Sequence, residues 1–104
     1  MRRALTLFAL SGVALAAPAC AWAHAALLHT EPVASRILNH APASVSLTYS
    51  EAVEPRFAIV SVTDAAGRQV TAGPPHRSPG NPDILVTPLK GIPEGWYLVF
   101  WRVI

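Results

Sequence analysis

From residue 24 onward, proline and glycine recur so often that no segment keeps a helical period for three turns. Proline fixes φ and removes a backbone donor, so it ends helices and central strands alike. What remains between these breaks is a series of short alternating runs, the pattern of β-strands. Ala25 to His29 is an apolar run that ends at Glu31-Pro32. Ser44 to Ser50 alternates cleanly, with Val45, Leu47 and Tyr49 on one side and Ser46, Thr48 and Ser50 on the other. That alternation predicts one buried face. Glu51 to Pro55 is a polar connection, and Phe57 to Thr63 is the next strand. Asp64-Ala65-Ala66-Gly67 forms its turn, and Arg68 to Thr71 is the expected return strand. Gly73 to Asp83 holds four prolines and two glycines and is expected to be a loop. Ile84 to Thr87 is a short strand, followed by a loop from Pro88 to Gly95. Trp96 to Ile104 carries apolar residues on both faces, which predicts a doubly covered, central strand. Trp96, Phe100 and Trp101 are accordingly expected in the core. The fold class is all-β, an immunoglobulin-like sandwich or a small Greek-key barrel.

The stretch before residue 24 has a different logic. Arg2 and Arg3 precede an apolar run from Ala4 to Ala17, Pro18 breaks it, and Ala21-Trp22-Ala23 supplies small residues at a cleavage site. The run is short of the ~20 apolar residues that span a bilayer. Residues 1–23 are therefore expected to be a signal peptide, cleaved after Ala23, and residues 24–104 the exported domain. Two other export routes start from the same residues. Arg2-Arg3 is the minimum of a twin-arginine signal. Lipidation at Cys20 would leave His24 internal. Cleavage after Ala23 also removes Cys20 and Met1, the only cysteine and methionine. No disulfide, thiolate or thioether site then remains. Loss of Arg2 and Arg3 leaves six basic side chains against six acidic ones, so the pI of about 9.2 gives no reason to expect nucleic acid as a partner.

Four stretches, in order, carry a resemblance: HAALLHTEP from His24, VSLTYSEAVEPRF, VTDAAGRQV and GWYLVFWRV. Together they resemble the CopC family of periplasmic copper-binding proteins, which includes PcoC. The resemblance covers nearly all of residues 24–104. It implies a small Greek-key β-barrel and Cu(II) binding in copper resistance or homeostasis, as a carrier or donor and not as an enzyme. It also implies an inner-membrane partner of the CopD type. Carried over residue by residue, the family's N-terminal histidine is His24, which binds through its α-amine and its imidazole. The glutamate of the family's Ser-Glu pair is Glu51, expected to give outer support. The family's other two ligands, an Asp and a His in a short motif, lie a few residues beyond the stretch that matches WRV. The sequence ends at Ile104, so that motif and the strand after it are expected to be absent. A fold lacking its last strand leaves an edge for self-association.

Cu(II) prefers nitrogen and oxygen donors in a tetragonal plane, and a terminal histidine offers two nitrogens on one residue. His29, His40, and His76 with Asp83 are weaker candidates, read first as exposed polar residues of strand ends and loops. No Ser/His/Asp arrangement, phosphate loop or paired-carboxylate pattern is present, so hydrolytic chemistry is not expected. Two other functions are compatible with the same residues. One is a metal-free immunoglobulin-like interaction module. The other is polysaccharide oxidation by copper on an N-terminal histidine, as in lytic polysaccharide monooxygenases.

Overall fold

The computed structural model describes residues 25–104, and six antiparallel strands account for its regular structure. They are β1 (Leu27–Glu31), β2 (Ser44–Tyr49), β3 (Ala58–Thr63), β4 (His76–Ser78), β5 (Asn81–Pro88) and β6 (Leu98–Val103). The only helical piece among these residues is a 3-10 turn, Pro55–Phe57, with proline in its first turn, where no amide donor is needed. The strands form two sheets. One has the order β1-β2-β5-β4, the other pairs β3 with β6.

The alternation of β2 decides where the core lies. Val45, Leu47 and Tyr49 are buried, while Ser44, Ser46 and Thr48 on the other side are only half-buried. Directly opposed residues in an antiparallel pair share a face. Leu47 faces Leu85, and Val45 faces Thr87, across the β2–β5 ladder. Leu85 and Thr87 are accordingly buried with them. From the second sheet, Ala58, Val60 and Val62 close the core, and Val53 enters it from the connection between the sheets. Tyr97, Val99 and Val103 pack against this cluster from the β6 side. Two stacked antiparallel sheets with one shared core make a β-sandwich.

Several expectations are met. Strand β1 stops at Glu31, immediately before Pro32. The turn after β3 is closed by Asp64: Oδ1 accepts hydrogen bonds from the amides of Ala66 (2.9 Å) and Arg68 (2.8 Å), and the Gly67 amide donates to the Asp64 carbonyl at 2.9 Å. Gly67 takes φ 82°, a conformation that a Cβ would resist.

Three expectations are corrected. Arg68 to Thr71 does not form a strand. It contributes two isolated bridges, Thr63↔Gln69 and Thr71↔Leu89, because the Gln69 side chain itself caps the edge of β3. Its Oε1 accepts from the Val62 amide at 2.8 Å, where a ladder would use a backbone carbonyl, while the Val70 amide still donates to the Val62 carbonyl at 2.8 Å. The proline-rich stretch from Gly73 is not all loop. It contains β4 and the start of β5, joined around Pro79-Gly80. Its prolines are accommodated because β4 is a short edge strand and Pro82 lies at the start of β5, beside a register shift between Arg77 and Ser78. The last strand is not covered on both faces. Its outer residues, Leu98 and Phe100, are exposed, as are Trp96 and Trp101. Apolar residues on both faces suggested two covering layers, but only the inner face of β6 meets a layer among the described residues.

Candidate metal centre

The first described residues are locked to the end of β2 by one serine. Beyond the ladder, where Leu27 faces Tyr49, the Ser50 amide donates to the Ala26 carbonyl at 2.8 Å. The Ser50 hydroxyl accepts from the Ala26 amide at 2.9 Å. One residue thus satisfies both backbone groups of Ala26. The chain that follows His24 is held directly beside the Ser50-Glu51 pair. His24 itself lies outside the described residues.

Glu51 is exposed and forms no ion pair among the described residues. Its neighbour Glu54 is in the opposite condition. Its carboxylate meets Arg56 Nε at 3.2 Å and Arg77 Nη2 at 3.6 Å, while Arg77 Nε also donates to the Val53 carbonyl at 3.2 Å. The Phe57 amide donates to the Glu54 carbonyl at 3.0 Å. Buried Val53, the Arg77 contacts and the 3-10 turn hold the connection on which Glu51 sits. Of the two carboxylates here, Glu54 is engaged by guanidinium groups and Glu51 is open to an incoming cation.

The other candidates are not brought together. His29 lies on β1, exposed, with Nε2 at 3.7 Å from Glu31 Oε2. His40 is exposed in the loop after β1. His76 faces Val86 across the β4–β5 ladder, so it shares the outer side with Val86. Asp83 is half-buried where the β4–β5 register shifts. No group of three or more His, Cys, Asp or Glu side chains among the described residues is placed to hold a metal ion. Glu51 carries a carboxylate oxygen, a donor of the type that Cu(II) accepts.

A wide cleft among the described residues lies away from this region. It is an open space of about 1120 Å³ between the loop after β1 and the segment leading into β6, with Val45, Val62, Leu89, Trp96, Val99 and Trp101 among its walls. Neither Glu51 nor Ala26 touches it. The roles of Ser50 and Arg77 could not be read from the linear chain. Each works on a partner 24 residues away, and only the folded topology brings them together.

Comparison with known proteins agrees with this architecture. The CopC domain family matches residues 27–104. Protein YobA of Escherichia coli K12 is 32% identical over 84 residues, which is 80% of this chain and 68% of YobA. YobA of Shigella flexneri matches with the same figures. The crystal structure of CopC from Methylosinus trichosporium OB3b superposes with a TM-score of 0.69 at 26% identity, over 77% of this chain and 78% of that one. A match across all six strands, together with the shared two-sheet architecture, means that the chain belongs to the CopC family of periplasmic, copper-related proteins.

Proposed function

We propose that the protein is exported, cut between Ala23 and His24, and carries Cu(II) in the periplasm for copper resistance or homeostasis. Copper is its cargo, passed on unchanged, and no enzymatic step is involved. The terminal amine and imidazole of His24 are the principal donors, and the Glu51 carboxylate supports them from the side. The observation that carries this reading is the double hydrogen bond between Ala26 and Ser50. It holds the chain two residues after His24 beside Glu51, in a family of copper-related proteins. A membrane partner of the CopD type would supply or receive the ion.

Both nitrogens of His24 must lose their protons to bind. With reference pKa values of about 8 for an α-amine and about 6.5 for an imidazole, copper and protons compete through the neutral range. Affinity therefore falls as pH is lowered from 8 to 5. The decisive experiment inserts one glycine before His24 in the exported protein. The imidazole is kept and the amine is moved away. Cu(II) affinity, measured by competition with a chelator, is expected to drop by more than tenfold, with His76→Ala nearly unchanged. Equal affinity with and without the extra glycine removes the amine chelate. Oxidation of polysaccharide in the presence of peroxide would instead favour the oxidase reading, and indifference to copper would favour the metal-free module.

A further inference from the structure

The Glu51 carboxylate makes no ion pair among the described residues, so the backbone on either side of it decides where it stands. On one side is Ser50, fixed to Ala26 through its amide and its hydroxyl. On the other side is Val53, 6% exposed and part of the core. Only Glu51 and Ala52 lie between these two anchors, and both are exposed. With about 3.8 Å between consecutive Cα atoms, so short a span has little room to move while its ends are held.

The second anchor is completed from the far edge of the four-stranded sheet. Arg77 lies on β4, at the opposite edge from β1. It faces Leu85 across the β4–β5 ladder. Directly opposed residues share a face, so Arg77 leaves its strand on the side of buried Leu85. From there its guanidinium crosses to the connection that leads into β3. Nε donates to the Val53 carbonyl at 3.2 Å, and Nη2 stands 3.6 Å from Glu54 Oε2. Two nitrogens of one planar group thus hold two successive residues. That fork is particular to arginine, since a lysine ammonium is a single point charge.

Charge and holding act on a bound cation with opposite signs. A guanidinium on the same connection repels a cation at Glu51, so Coulomb's law alone has Cu(II) bind more tightly once Arg77 is removed. Holding does the reverse. A carboxylate already in place loses little freedom when an ion arrives, whereas one on a loose connection must be ordered at that moment.

We infer that Arg77 is a positioning residue for copper: it fixes the Val53–Glu54 end of the connection and so presents the Glu51 carboxylate to the ion. This role rests on the proposed binding of Cu(II) at His24 and Glu51, and it brings a residue of β4 into the support of that site.

The test is the Cu(II) affinity of the exported protein, by chelator competition at neutral pH, for the native chain, Glu51→Gln, Arg77→Met and the two combined. Glu51→Gln should lower the affinity about tenfold and Arg77→Met nearly as much, the lower end of what loss of an orienting partner costs. In the Glu51→Gln background, Arg77→Met should change nothing further, because the two act through one group. Arg77→Lys keeps the charge without the fork. It is the milder change if Arg77→Met lowers stability, and it should show the same dependence on Glu51. In the metal-free protein, Arg77→Met should lower the NMR order parameters of Glu51 and Ala52 and leave those of Leu47 and Leu85 unchanged, which separates a loosened connection from a failed fold. Arg77→Met that binds copper as tightly as the native chain, or more tightly, overturns the inference. So does a loss that is equal with and without the Glu51 carboxylate. A silent Glu51→Gln removes Glu51 from the proposed site and the role of Arg77 with it. A weakened Glu51→Gln beside a silent Arg77→Met leaves the copper reading standing and overturns the positioning role alone.

Discussion

At the scale of single residues, two polar groups have calculable consequences. Asp64 accepts a hydrogen bond from the Arg68 amide, the main cause that holds its carboxyl below the ordinary 3.8; the Arg68 side chain and the Ala66 amide act in the same direction. A carboxyl lowered on folding adds stability that is present above its unfolded pKa. That stability is lost as pH falls through the lower, folded value. Asp64→Asn keeps an oxygen acceptor but not the charge. It should lower the melting temperature at pH 7, and the difference from the native protein should shrink from about pH 4 downward. Thermal melts from pH 7 to pH 2 check this, and a gap that stays constant with pH would exclude the charge as its source. Tyr49 is the reverse case. Burial pushes its phenol up, and its hydroxyl is enclosed without a hydrogen-bond partner. An orphaned buried polar group costs about 1–3 kcal/mol. Tyr49→Phe keeps the ring and removes the orphan, so urea unfolding should show equal or greater stability.

At the scale of elements, β2 is the strand on which the sandwich depends. It pairs with β1 on one side and β5 on the other, and its three inward side chains are all buried. Leu47 has no exposed surface. Truncating it removes packing from both sheets, and a buried Leu→Ala change costs about 2–5 kcal/mol. A core of eight buried apolar residues among the described ones has little reserve, since domains of this size are only marginally stable. Leu47→Ala should therefore be largely unfolded at 37 °C by circular dichroism. Leu28→Ala, on exposed surface of neighbouring β1, should be nearly silent. Comparable losses at the two positions would contradict the assignment of faces.

For the whole molecule, the proposed function joins copper binding and export at one peptide bond. The α-amine of His24 exists only if cleavage falls after Ala23. Intact mass of the exported protein should correspond to a chain starting at His24, and its Cu(II) affinity should fall as pH drops from 8 to 5. A mature chain that begins at Cys20, or keeps Met1, would leave His24 as an internal residue. Copper binding in that form would have to use the imidazole without the amine, and the glycine insertion would then have no effect.

The strands with a clean two-residue period were legible in the sequence because side chains of a strand alternate between faces. The inward set of β2 is fixed by Val45, Leu47 and Tyr49, whatever they pack against. The Asp64 turn was legible for a local reason, since its contacts all fall within four residues. His24 and Glu51 were singled out by an ordered resemblance and by the donor chemistry of copper. The tertiary structure alone decided the rest. It made β4 a strand because an edge tolerates a short, shifted ladder between prolines. It turned Gln69 into a cap on β3, and sent Arg77 across 24 residues to hold the Glu54 connection. It left Phe100 and Leu98 facing outward. Sequence records which residues are apolar, but which apolar face meets another layer depends on sheets that come together only when distant strands pair.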